Sequence, residues 1–182
     1  PACGGVVREK LIHFASRDAM DIEGLGPAVV DSLLAYRLVA DAADFYALKE
    51  DDLRQIERMG EKSAANLITA IRASKERGLA KLLFGLGIRF LGEKGSELAA
   101  HYFHTIDAIM AADVETIEET EGIGKITAKS LYDYFHDEKN IEMINKLKNA
   151  GVLMEEIKEE SESGMFSGES VVLTGKLAVM GR

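Results

Sequence analysis

Gly26, Gly60, Gly92 and Gly124 stand 34, 32 and 32 residues apart, each inside the same short pattern. A large apolar residue precedes each glycine (Leu25, Met59, Leu91, Ile123). A small or β-branched residue follows four positions later (Val30, Ala64, Ser96, Ala128), and an apolar one at seven (Leu33, Leu67, Ala99, Leu131). A period of this length with one glycine turn per unit marks an internal repeat, and each unit must bury its apolar face against its neighbours. Apolar residues recur at three and four positions, as in Val29, Leu33, Leu34 and Leu67, Ile68, Ile71, which is the helical period. The only proline in the body, Pro27, falls directly after Gly26, where the first helical position accepts it. The pattern predicts an all-α fold of four tandem helical hairpins.

A larger repeat groups the hairpins in pairs. Residues 48–67 parallel 111–131, with Asp51 matching Glu115, Leu53 matching Ile117, and Met59-Gly60 matching Ile123-Gly124. Hairpins one and two form one double unit, and hairpins three and four a second, sharing a core over residues 11–150. Residues 1–10 have turn composition and predict no fold of their own. Residues 151–167 are acidic and end in a Ser/Gly-rich stretch, which predicts a linker. SVVLTGKL, in residues 168–182, carries the β-branched run of a strand that has no partner here. Order is expected in neither residues 1–10 nor 158–182.

The net charge of −9 argues at first against a polyanionic partner. Its distribution reverses that reading. Residues 101–182 hold 16 acidic and 8 basic side chains, whereas residues 54–94 hold nine basic and four acidic, a net +5. The basic segment carries the second and third glycine turns. A hairpin turn leaves the second helix with outward N–H groups and partial positive charge, which together suit a phosphate. Lys62 and Lys94, two residues past their glycines, and Lys125, one past, add a mobile cation. Such contacts read the sugar–phosphate chain and not the bases. The competing reading makes each glycine a simple helix terminator, which the near-constant spacing of four turns disfavours.

The turns are unequal. Hairpin one has Pro27 and Ala28 where the others carry a cation, beside Asp21, Glu23 and Asp31. Hairpin four keeps Gly122 and Gly124 with Lys125 and Lys129, behind Glu118, Glu119 and Glu121. Hairpins two and three replace the first glycine by Arg58 and Phe90 but are the most basic, with Arg89 adjoining. They are expected to carry most of the salt-dependent affinity.

Other chemistry is sparse. The single cysteine, Cys3, excludes an internal disulfide and fits a reducing, cytoplasmic setting. No apolar run approaches the ~18–20 residues of a membrane span. Six residues separate Gly168 from Gly175-Lys176, where a P-loop needs four, and Leu177 replaces its Ser/Thr. His101 and His104 lie i, i+3 on an expected helix with no carboxylate partner in sequence, so a metal role is not expected. No nucleophile, base and orienting group assemble, so no catalytic residue is assigned.

At residues 11–26 (LIHFASRDAMDIEGLG), 58–67 (RMGEKSAANL) and 82–95 (LLFGLGIRFLGEKG) the chain closely resembles the bacterial NAD⁺-dependent DNA ligases. The resemblance covers essentially the whole sequence and implies a C-terminal fragment of such an enzyme. In that family four helix-hairpin-helix motifs grip nicked duplex DNA across the minor groove, between a four-cysteine zinc finger and a BRCT domain. It implies DNA-binding roles for Gly24, Gly26, Gly60, Gly92, Gly122 and Gly124 at the turns, joined by Arg58, Lys62, Arg89, Lys94, Lys125 and Lys129. Residues 1–10 would be the end of the zinc finger, with Cys3 its last metal ligand, and residues 168–182 the start of the BRCT domain. One cysteine cannot hold Zn²⁺ alone. No KxDG adenylation motif occurs in the 182 residues. The parent would use NAD⁺, Mg²⁺ and Zn²⁺ in replication and repair, whereas this piece needs no cofactor and is expected to be inactive alone. The expected partners are nicked double-stranded DNA and the remaining ligase domains. The expected setting is the bacterial nucleoid, with the chain a monomer and no membrane involved. The alternatives are a helical protein-interaction module and an enzyme with a hidden site.

Overall fold

A computed structural model describes residues 4–157, and they form helices joined by short turns, with no strand beyond an isolated antiparallel bridge between Thr105 and Glu155. Helix α1 (Gly4–Ala15) leads into a single turn at residues 16–20 and then α2 (Pro27–Ala35). A 3₁₀ helix (Ala42–Ala47) precedes α3 (Glu50–Arg54) and α4 (Glu61–Ser74). The second half runs α5 (Leu79–Gly85), α6 (Glu93–Phe103), α7 (Ile106–Ala111), α8 (Val114–Glu118), α9 (Lys125–Phe135) and α10 (Glu138–Asn149).

The repeat is a burial pattern. Val30, Ala64, Ser96 and Ala128 are each 0% exposed, because four residues past the turn places a side chain on the inner face of the second helix. Leu33, Leu67, Ala99 and Leu131 occupy the next inward turn and are buried too. The larger repeat also holds, with Leu53 and Ile117 both buried at matching positions of α3 and α8. In hairpin one the first arm is reduced to the turn at residues 16–20, which is tied back to α1 by Met20 N–H donating to Phe14 O.

Two expectations are corrected. Residues 4–10, predicted to have no fold, are the first turns of α1. The two glycines fall at the helix start, and Val7, Leu11 and Phe14 follow at helical spacing onto the core. Arg8 holds the exposed Asp31 of α2 through two hydrogen bonds and keeps that carboxyl below the usual range. The boundary placed between residues 10 and 11 thus falls inside a helix. The acidic linker expected from residue 151 starts too early. Val152 and Met154 are buried, and residues 152–157 form a strap over the helix ends. Leu153 N–H donates to Lys75 O (2.8 Å), Ile106 N–H to Met154 O (3.0 Å) and Leu79 N–H to Glu155 O (2.9 Å). Two apolar side chains and these three satisfied backbone bonds outweigh an acidic composition. The strand expected near SVVLTGKL, and Cys3, lie outside the described residues.

The two double units meet through α1 and the strap. His13 donates from Nε2 to Phe84 O (2.7 Å). Gly85 packs close to Phe14, Ala19 and Met20, where an added Cβ would have neighbours at 3.4 Å. Tyr46 of the 3₁₀ helix bonds Ser74 of α4 (2.9 Å), and burial pushes its phenol up to about 12.

Candidate nucleic-acid interface

The four turns share one backbone course. The first motif position is left-handed in every case: Gly24 (φ 87°), Arg58 (67°), Phe90 (65°) and Gly122 (85°). Glycine takes that conformation freely, whereas Arg58 and Phe90 take it against the Cβ clash that disfavours it. Losing the first glycine therefore did not change the turn. The second glycine does a different job. Gly26, Gly60, Gly92 and Gly124 have φ between −72° and −85°, which any residue adopts, and a Cβ added at any of them would meet nothing within 4 Å.

Each of these glycines caps a helix without offering a side chain to it. Elsewhere the chain caps helices conventionally, through Asp41, Thr105, Asp113 and Asp137. At the hairpins the first N–H groups stay open: those of Glu61, Lys62 and Ser63 on α4, Glu93, Lys94 and Gly95 on α6, and Lys125, Ile126 and Thr127 on α9 have no acceptor among the described residues. Hairpin one is poorer. Pro27 has no N–H and Val29 N–H already donates to Gly26 O (3.1 Å), so Ala28 alone remains.

The turns are held in pairs. Gly24 of hairpin one lies against Leu67 of α4, within 3.8 Å of its Cδ1 for an added Cβ. Arg58 and Met59 of hairpin two share an open groove with Val29 of α2. In the second unit, Gly122 lies against Leu98 of α6. Ser130 Oγ on α9 donates to Arg89 O (2.7 Å) and Thr127 Oγ1 to Phe90 O (3.4 Å). Each hairpin's turn thus rests on the second helix of its pair mate.

All twelve predicted DNA-binding residues are exposed. Lys62 and Lys125 have no carboxylate within 4.0 Å among the described residues. Lys94 meets Glu97 at 3.4 Å, Lys129 meets Asp133 at 2.9 Å and Arg58 meets Glu57 at 4.0 Å. Such exposed pairs contribute little and yield to a stronger anion. The guanidinium of Arg89 sits over the Phe90 ring, 4.8 Å from its centre.

The positive excess read over residues 54–94 is smaller in effect than its count. Arg54 pairs with Glu50 and Glu61, Lys81 with Glu93, and Lys75 donates to Ala150 O (2.6 Å). Arg77 is bound to the carbonyls of Ala19 (3.3 Å) and Arg17 (3.2 Å). These four serve the fold. The sequence also left Ser130 and Thr127 unmarked, since no motif signals a contact made across about forty residues.

His101 and His104 gain the carboxylate that sequence did not supply. Both Nδ1 atoms meet Glu156, at 2.8 and 2.6 Å, one on each oxygen. An ionised carboxylate only accepts, so both Nδ1 atoms carry the proton. The two histidine bonds, His101 first, hold the Glu156 carboxyl below its ordinary value against the opposing effect of burial. No group of three or more His, Cys, Asp and Glu is arranged to hold a metal among the described residues. No helix among them is long and apolar enough to cross a membrane.

Comparison with known proteins follows this division of the chain. A family model described as a SAM-like helix-hairpin-helix tandem matches residues 16–73, and one described as a helix-hairpin-helix motif matches residues 81–144. These are the first and second double units. Among curated proteins, one named DNA ligase from Thermoanaerobacter pseudethanolicus is 48% identical over 175 residues, 96% of this chain and 26% of the relative. Proteins of the same name from Shouchella clausii and Clostridioides difficile are 45% and 42% identical over 183 residues, covering 98% and 100% of this chain and 27% of each relative. The chain thus spans about a quarter of the length of the curated relatives it matches.

Proposed function

We propose, for a chain of tandem helix-hairpin-helix units homologous over nearly its whole length to part of bacterial DNA ligases, that it grips duplex DNA by its backbone at or around a nick. The reading rests above all on the four capping glycines. They are not required by backbone angle or by crowding, and they leave helix N-termini open where a side-chain cap would close them. A bare N-terminus admits a phosphate oxygen to hydrogen-bonding distance of consecutive N–H groups, and the helix dipole favours its charge. Lys62, Lys94 and Lys125 stand beside these openings. Since the donors are backbone groups, binding is independent of sequence.

In this reading the chain supplies grip, and the whole ligase joins a 3′-hydroxyl to a 5′-phosphate with NAD⁺ and Mg²⁺ acting in its other domains. Cys3 would complete a zinc site whose remaining ligands come from those domains. The module acts as a monomer in the cytoplasm, at the nucleoid, in replication and repair.

The test is a salt titration of binding to nicked and intact duplex. Three competent turns predict a slope of log K against log salt of about −3, at roughly −0.9 per phosphate neutralised. Lys62→Glu and Lys94→Glu should each weaken binding and flatten that slope by about one unit. Salt-insensitive binding with no preference for duplex would favour a protein-interaction module instead. A covalent adenylate formed on this chain from labelled NAD⁺ would favour an enzyme.

A further inference from the structure

The two double units differ at their tips. In the second unit Phe90 is 59% exposed and Ile126 68%, the two most exposed large apolar side chains among the described residues. They stand on adjoining turns, since Thr127, the residue after Ile126, donates its hydroxyl to Phe90 O. The larger repeat places Gly24 and Lys62 at the matching positions of the first unit. One tip is apolar and the other is not.

Nothing among the described residues accounts for the apolar tip. Phe90 is held left-handed at φ 65°, a conformation that disfavours a bulky side chain. Its main chain is nonetheless fixed by Ser130 and Thr127, and its ring is covered on one face only, by Arg89. The open N-termini of α6 and α9 both adjoin it, the first two residues on in sequence and the second through Thr127. On a duplex held through those two N-termini, a ring so fixed would face the groove between the strands. Aromatic and aliphatic side chains so placed part a base step and kink the duplex.

We infer that Phe90, with Ile126 beside it, is an apolar wedge that enters the groove and unstacks a base step, so that the second unit deforms the duplex while the first only holds it. This rests on the proposed DNA-binding function. The wedge takes no particular base, because every base offers an apolar face.

The experiment uses the whole chain and a nicked duplex carrying 2-aminopurine at successive positions, whose fluorescence rises when a step is unstacked. Binding of the unaltered chain should raise it several-fold at one or two adjacent positions. Phe90→Asn keeps a residue that tolerates the left-handed turn. It should abolish the rise and weaken binding by about tenfold, leaving the salt slope unchanged because no phosphate contact is lost. Arg58→Asn, a change at the same motif position in the first unit, should flatten the slope by about one unit and leave the rise intact. A rise that persists in Phe90→Asn overturns the inference, as does salt-dependent binding by the unaltered chain with no rise at any position. Failure of the unaltered chain to bind duplex at all removes the function and the wedge together.

Discussion

Ser130 Oγ on α9 donates to the carbonyl of Arg89 at 2.7 Å, so a side chain of the fourth hairpin holds the turn of the third. Removing it leaves that carbonyl without its partner. Ser130→Ala should lower stability by about 1 kcal/mol in urea unfolding. Amide exchange at Leu91 and Gly92 should accelerate more than exchange in α4, since the first unit makes no use of this bond.

The two glycine positions of the motif should respond oppositely to substitution. Gly24→Ala forces a Cβ into the left-handed region and should cost about 1–2 kcal/mol. Gly92→Ser meets no such strain and gives α6 a side-chain cap, so stability should hold or rise by a few tenths of a kcal/mol. Its hydroxyl then competes for the N–H groups offered to phosphate, so duplex affinity should fall while thermal unfolding does not. Loss of stability and affinity together in Gly92→Ser would show that this glycine serves the fold.

Arg58 reverses the comparison. Arg58→Gly relieves a left-handed non-glycine residue, although glycine also makes the unfolded chain more flexible. The net should be a gain of up to about 1 kcal/mol, with weaker binding as the positive charge is lost. Denaturant midpoints and a salt titration on the same variant separate the two effects.

Thr120 is 3% exposed and its hydroxyl has no partner among the described residues. Replacing an unsatisfied buried hydroxyl by a methyl of similar shape removes a desolvation penalty. Thr120→Val should therefore stabilise the chain by about 1 kcal/mol in urea unfolding, without altering DNA binding.

Glu156 gives the fold an acid-sensitive element. Its carboxyl titrates lower when folded than when unfolded, so the folded state favours the ionised form. That contribution is complete above the unfolded value, about 4.3, and is lost as pH falls through the lower folded value. Glu156→Gln should lower stability near pH 6 and flatten the fall in stability below about pH 4.5. Urea midpoints across this range check both.

Much of this architecture was legible because the repeat is a burial code: Val30, Ala64, Ser96 and Ala128 read as equivalent and are all fully buried. The left-handed turns at Arg58 and Phe90 were hidden because their residue types argue against that conformation. Residues 4–10 and 152–157 are not legible in sequence because Gly-Gly and Glu-Glu describe local preference, whereas Val7, Val152 and Met154 are settled by what they pack against. The charge count overstates the free positive excess, since sequence does not show that Arg77 and Lys75 are occupied by distant carbonyls.

The strap at residues 152–157 crosses from the end of α4, through the start of α5, to the junction of α6 and α7. It therefore ties the last helix of one double unit to the middle of the other. In the proposed function, two units joined by a loose tether would have to be aligned on the duplex one after the other, each losing rotational freedom as it landed. Clasped in this way they would land as one footprint, with their alignment already fixed during folding, and the second engagement would follow the first at high effective concentration. Freeing the strap would turn one strong contact into two weak ones.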